Sequence, residues 1–281
     1  MTTSSTPDTI VAPRAPSLFV SHGSPMFAVE PGLLGPRLQA LGRLLSGIGA
    51  IAVVSPHWQT RGVRVSTALA PDTIHDFGGF PGVLYSLLYH PPGAPQLARE
   101  AAMRLSEAGF EVTLDENRGL DHGAWVPLRY LRSDAAIPVF QISLPYDIDV
   151  DGALQLGRAL KPLRDSGVLV LGSGSLTHNL YEFRRPGIDV GYAQQFADWV
   201  HEAVQRGDVE ALLQYRQRAP HAERAHPTQE HYLPLLVALG ASDDGEPARR
   251  IVGGMTYGVL SMDSFGWGLP DEAHRDAGVA A

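Results

Sequence analysis

The chain reads as an α/β protein: one domain with a mostly parallel central sheet flanked by helices. Three observations predict this. Leu18–Ser21, Ile51–Ser55 and Val168–Leu171 are short apolar runs that stop at Gly, Pro or Ser, the pattern of strands buried on both faces. Amphipathic helical spacing lies between them, as in Leu33, Leu34, Leu38, Leu41, Leu44 and Leu45. Each run also leads into a histidine: His22, His57 or His178. Open α/β sheets bind ligands beyond the carboxyl ends of their strands, so three histidines far apart in sequence are expected to converge there.

The elements follow in order. Met1–Ala15, rich in Thr, Ser and Pro, is expected to be a flexible tail, as is Pro270–Ala281, which leaves 16–269 as a single α/β domain. Strand Leu18–Ser21 delivers His22, and helix Leu33–Leu45 crosses over to strand Ile51–Ser55, which ends on His57. Val63, Val65 and Thr67 alternate with Arg64 and Ser66, which suits a half-exposed strand near a sheet edge. Paired glycines, proline and aromatics make 72–81 a long ordered loop, and such loops in compact domains line sites. Ala94–Ala108 is a helix with Pro95 in its first turn and Gly109 just past its end. Phe110–Leu114 is a short strand, followed by a loop that carries His122 between Asp121 and Gly123. Pro138–Leu144 is a buried strand, Leu154–Leu163 a helix, and Val168–Leu171 the strand before His178. Gly191–Gln205 and Val209–Tyr215 read as amphipathic helices, and His221–His226 as a polar break. Thr228 is placed to cap the apolar helix Tyr232–Leu239, with Glu230 and His231 in its first turn. Arg250–Met262 supplies one or two last strands.

With 30 acidic and 22 basic residues, the formal charge of −8 argues against nucleic acid or an anionic membrane as the main partner. A small molecule is the expected ligand. No cysteine is present, so disulfides, thiolate metal sites and thiol nucleophiles are excluded, and a metal must be held by nitrogen and oxygen. The polar start Met1-Thr-Thr-Ser-Ser-Thr-Pro does not read as a signal peptide, and no apolar stretch reaches the length of a membrane span. A cytoplasmic location is expected.

Eleven histidines invite sorting. His90, His201, His221 and His274 lie in helical, proline-rich or tail contexts and read as solvated. His22, His57, His122, His178 and His231 each sit at an element boundary beside Gly, Pro, Trp or Asn. One such histidine ordinarily bonds backbone; five, three of them after buried strands, point to a shared site. Imidazole donors suit Zn(II) or Fe(II), and spacing does not separate the two. Gly172-Ser-Gly-Ser175 has the composition of a phosphate cradle but lacks the lysine ending and the full dinucleotide fingerprint. Ser24 and Ser175 lie outside any nucleophile elbow and read as turn residues. Glu230 could be a ligand, a helix-start carboxylate favoured by the dipole, or exposed, and it reads first as exposed or as a neighbour supporting His231.

These residues carry a resemblance. His22-Gly-Ser-Pro-Met26, Ser55-Pro-His57-Trp58, Thr73-Ile-His-Asp-Phe-Gly-Gly-Phe-Pro81, Asp121-His-Gly-Ala-Trp125, Gly174-Ser-Leu-Thr-His178-Asn179 and His226-Pro-Thr-Gln-Glu-His231-Tyr-Leu-Pro234 resemble, in order, the motifs of the 4,5-DOPA extradiol dioxygenase family, within the class III, protocatechuate 4,5-dioxygenase-type superfamily. Gln229 departs from the expected pattern at the rim of the last motif. The resemblance implies a non-haem metal-dependent enzyme that opens the aromatic ring of a catechol with O2 to give a semialdehyde. Its metal site would lie at the C-terminal ends of the strands, with His22, His57 and His231 as ligands. His178 matches a position with two described roles, a fourth metal-coordinating histidine and the active-site acid/base, and His122 matches a substrate-contacting histidine. Fe(II) is expected for activity and Zn(II) is a second candidate in the isolated protein, which is expected to be a monomer or homodimer. Trp58, Phe77, Phe80 and Trp125 are candidate pocket walls, and His75 and Asp76 candidate supports. Two alternatives stand beside this reading: a zinc-dependent hydrolase on the same histidines, and a non-catalytic metal- or ligand-binding protein.

Overall fold

Eight strands form one sheet in the computed structural model, which describes residues 14–183 and 189–270. In chain order the elements are β1 (Ser17–Ser21), α1 (Leu34–Leu44), β2 (Ala50–Thr60), β3 (Val63–Ser66), α2 (Pro95–Glu107), β4 (Val112–Asp115), α3 (His122–Leu131), β5 (Val139–Pro145), α4 (Val150–Leu160) and β6 (Val168–Gly174). There follow α5 (Gly191–Gln205), α6 (Val209–Leu213), α7 (Tyr215–Arg218), α8 (Ala222–Ala225), α9 (Leu233–Ala241), β7 (Ala248–Ile251), β8 (Met255–Thr256), β9 (Leu260–Ser261) and β10 (Ser264–Trp267). The sheet runs β4-β3-β5-β2-β6-β1-β10-β7, and β8 and β9 pair separately. Its centre, β5-β2-β6-β1, is parallel, as the apolar runs predict; β10 and β7 close one side antiparallel.

Alternate residues of the central strands feed two cores. Leu18, Val20, Ile51, Val53, Leu169 and Leu171 pack with α1 and α3 on one face. Phe19, Ala52, Val54, Val168 and Val170 pack with α4, α5 and α9 on the other. Helix α9 is apolar on all sides because it is enclosed between the sheet and α4. It approaches β6 so closely that a Cβ at Gly172 would lie 2.0 Å from the Pro234 carbonyl oxygen, and one at Gly174 would lie 2.4 Å from that of His231. The glycines of the Gly172–Ser175 segment therefore serve helix approach, and no phosphate cradle opens there.

Several expectations are corrected. Strand β2 continues through His57 to Thr60, with its register to β5 shifting between Val54 and Gln59, where Pro56 has no N–H for the ladder. His122 is in no loop: it is the first residue of α3, whose N-cap is Asp121, accepting from the Ala124 N–H at 3.3 Å. Thr228 does not cap α9, which starts at Leu233; its hydroxyl donates to Glu230 instead. Strand β10, beyond the predicted last strands, pairs with β1. Ala15, assigned to the tail, is buried, and its N–H donates to the Arg164 carbonyl at 3.0 Å. The remaining tail residues 1–13 and 271–281, and His274 with them, lie outside the described residues. Among the described residues no helix is long and apolar enough to cross a membrane.

Candidate metal centre

The central strands end at one cleft of about 350 Å³, and His22, His57, His122, His178 and His231 all line it. His22 follows β1 directly, and its N–H is tied to the Gly174 carbonyl across β6 at 2.9 Å. His57 projects from the bulged end of β2. His231 immediately precedes Tyr232 and α9, and its carbonyl accepts from the Ser175 N–H at 3.0 Å. One ring nitrogen from each of His22, His57 and His231 lies within 4.8 Å of the other two. The Nε2 atoms of His22 and His57 are 3.1 Å apart. The Nε2 of His231 is buried and has no hydrogen-bond partner.

The opposite ring nitrogens face outward to partners. The Nδ1 of His22 lies 3.0 Å from Ser173 Oγ, that of His231 3.1 Å from Glu230 Oε1, and that of His57 3.6 Å from Asp76 Oδ2. Two imidazoles with Nδ1 hydrogen-bonded and a third whose Nδ1 faces a carboxylate, each with the other nitrogen aimed inward, are a donor set for a divalent ion, and an orphaned buried Nε2 is the group such an ion satisfies. Burial, reinforced by the neighbouring rings, holds His22 and His231 well below the ordinary histidine value. Burial and then His122 bring His57 to about 4. All three are neutral at pH 7, the state in which imidazole binds metal.

His122 and His178 flank this trio. Asp76 grips His122 twice, accepting from its backbone N–H at 2.8 Å and sitting 2.9 Å from its Nδ1. Burial alone would raise the Asp76 carboxyl, but the hydrogen bonds from His122 outweigh it and hold it at about 2. His178 stacks on His231 with ring centroids 3.5 Å apart and planes 8° from parallel. It clusters with Glu230 and His231 and stays outside the trio of His22, His57 and His231. Burial lowers it to about 4.

A buried network fixes the junction of β2 and α3. Asp121, fully buried, accepts from Ser55 Oγ at 2.8 Å, Arg118 at 2.9 Å and Gln141 at 2.5 Å, so its charge is fully partnered. A Cβ on Gly123 would stand 3.0 Å from the His57 ring and 2.4 Å from Ser55 Oγ, so only glycine fits behind that ring.

Phe77 and Phe80 line the cleft together with Pro25, Leu180, Phe183 and Leu260. Trp58 and Trp125 do not: Trp58 lies under the Arg118 guanidinium, and buried Trp125 donates to the Ile74 carbonyl. His75 bonds the Leu87 carbonyl and braces the loop. Ser24 and Ser175 shape turns, accepting from the Met26 N–H and donating to the Thr177 carbonyl. Of the histidines read as solvated, His90 and His221 are exposed, whereas His201 is half-buried against Phe265. His226, passed over as part of a polar break, is fully buried and engages the Leu176 carbonyl at 2.9 Å. With the Ala225 carbonyl accepting from the His178 N–H, it pins the loop that presents His178.

Comparison with known proteins places the chain among the ring-opening aromatic dioxygenases. Residues 40–260 match the family described as the catalytic LigB subunit of aromatic ring-opening dioxygenase. The chain belongs to the 4,5-DOPA extradiol dioxygenase family within that class. It is 41% identical to a 4,5-DOPA dioxygenase extradiol of Escherichia coli K12, over 89% of this chain and 93% of that one. It is 38% identical to the protein of the same name from Beta vulgaris, over 89% and 95%. Its fold matches the crystal structure of an uncharacterized Escherichia coli K12 protein with a TM-score of 0.76 and 34% identity, covering 90% of this chain and all of that one. The chain is an extradiol ring-cleavage dioxygenase, and the hydrolase and binding-protein readings are not favoured.

Proposed function

We propose that the chain opens a catechol with O2 to a semialdehyde, using Fe(II) held by the Nε2 atoms of His22, His57 and His231. The convergence of these three nitrogens, each backed by an outward partner, carries the reading. Fe(II) is the working ion because passing electron density from the catechol ring to dioxygen needs a redox-active centre, which Zn(II) is not. Zn(II) would occupy the same nitrogens without turnover.

The remaining side chains handle the ring and its protons. Phe77 and Phe80 stand beside the histidines and present apolar faces to an aromatic ring. Asp76 keeps the His122 proton on Nδ1, which leaves Nε2 as an acceptor for a catechol hydroxyl. His178 is the acid/base. Its ring is parallel to that of His231, and in-plane lone pairs of two stacked rings do not meet at one ion, so the stacking favours proton transfer over coordination. Neutral at pH 7, it takes the proton the catechol loses and returns it to the oxygen that departs when the O–O bond breaks.

The test is dioxygen uptake by metal-stripped protein reconstituted anaerobically with Fe(II) or Zn(II) and offered a panel of catechols, with absorbance followed for yellow semialdehyde. Uptake and colour with Fe(II) alone are expected. Equal turnover with Zn(II) under anaerobic conditions would overturn the reading in favour of hydrolysis.

A further inference from the structure

We infer that Ser173 sets the tautomer of His22, and that Pro127 in α3 is what frees the carbonyl that makes it do so. The inference rests on His22 holding a metal, as proposed above.

Ser173 lies in β6, fully buried, and its hydroxyl touches two groups: the Gly123 carbonyl, to which it donates, and His22 Nδ1 at 3.0 Å. In an α-helix the carbonyl of residue 123 would accept from the N–H of residue 127. Residue 127 is proline and has no N–H, so this buried carbonyl lacks its helical donor. The Ser173 hydroxyl replaces it. A hydroxyl has one proton to give, and a carbonyl has none. With that proton committed to Gly123, the oxygen meets His22 only as an acceptor, so His22 must carry its proton on Nδ1. Its Nε2 is then a bare lone pair directed at the cleft, 3.1 Å from His57 Nε2, and a ring nitrogen of His231 lies within 4.8 Å of both rings' donors.

The reverse arrangement is penalised at Ser173: a bare Nδ1 would draw the serine proton away from Gly123, leaving two buried oxygens in close contact without a hydrogen between them. His231 and His57 have carboxylates behind their Nδ1 atoms and need no such device, because an ionised carboxylate only accepts. Ser173 gives His22 the same fixed orientation while adding no charge. It is a positioning residue that acts through His22, its own proton fixed by the carbonyl that Pro127 leaves free.

The experiment uses metal-free full-length protein labelled with ¹⁵N in its histidines, and Zn(II) binding by competition with a chromophoric chelator. In the wild type, the His22 Nδ1 is expected to be protonated and its Nε2 bare. In Ser173→Ala, Nδ1–H would have no acceptor, so the Nε2–H form should gain population and the Zn(II) dissociation constant should rise about tenfold or more, with the far-UV spectrum unchanged. A bare Nδ1 in the wild type would overturn the inference without any variant. An unchanged tautomer and unchanged Zn(II) affinity in Ser173→Ala would overturn it too, while leaving the proposed metal site intact. Wild-type protein that binds no Zn(II) would instead remove the metal reading, and this inference with it.

Discussion

Replacing Asp76 with asparagine separates charge from shape at the His122 pair. The side chain keeps its size and one oxygen, but the negative charge is lost, and its amide N–H can point where a carboxylate only accepts. Facing His122 Nδ1, that N–H would favour the tautomer with the proton on Nε2, which removes the acceptor for the catechol hydroxyl from the cleft. The structure gives the scale. The Asp76 carboxyl is held at about 2 by hydrogen bonds from both the ring and the backbone N–H of His122. Asparagine keeps the second, so what is lost is the charged hydrogen bond to Nδ1, about 2 kcal/mol, which lowers kcat about 30-fold, and the tautomer change adds to it. Asp76 lies 2.9 Å from His122 but 3.6 Å from His57, so metal content should change far less than turnover. The assay is kcat and KM for catechol cleavage by Fe(II)-loaded Asp76→Asn, with iron measured on the same sample. Wild-type kcat at full iron content would refute the reasoning, and loss of iron in proportion to activity would show that Asp76 acts through His57.

Three further outcomes are expected. His178→Ala should retain Zn(II) and Fe(II) within a few-fold of wild type while losing turnover, whereas His22→Ala should lose the metal; equal metal loss in both, by chelator competition, would make His178 a ligand. Gly172→Ala must drive the Pro234 carbonyl back by about 1 Å, since a Cβ there would lie 2.0 Å away, and such overpacking costs about 1–3 kcal/mol; thermal melting should show a lower Tm together with weaker Zn(II) binding through His231. Metal-free protein should lose stability as pH falls from about 6.5 toward 4. His57 and His178 are held near 4 and His226 near 3, mainly by burial, so the unfolded chain binds protons in that window and the folded one does not. Each contributes up to about 1.4 kcal/mol per pH unit, and urea midpoints at pH 7 and pH 5 that coincide would contradict this.

Much of this was legible because the residues that matter interrupt strong patterns. Histidines at the ends of apolar strands stand out, and β1, β2, β5 and β6 follow from their runs of Val, Ile and Leu. Other features carried a weaker signal. Helix α3 was hidden by Gly123 and Pro127, two residues that usually end helices, and each is there for a packing or bonding reason that depends on β2 and β6. Strand β10, Ser-Phe-Gly-Trp, lacks an apolar run because it is paired antiparallel between β1 and β7. The burial of His226 depends on an aromatic nest of Phe196, Tyr215 and Tyr232, assembled from three separate segments. Ser173 left one clue: a serine between two glycines in a strand otherwise wholly buried and apolar, where a hydroxyl must find a partner.

The three inward nitrogens also bear on how the molecule assembles. His22 and His231 belong to opposite ends of the chain, and His57 joins them only once β6 has inserted between β1 and β2. No short segment holds two of the three, so an ion has nothing to grip in the unfolded chain beyond isolated imidazoles. Loops of this length close slowly, and the chain bears that entropy before the ion can repay it. On the proposed ligand set, metal uptake during refolding reports that these long-range contacts have closed and does not start them.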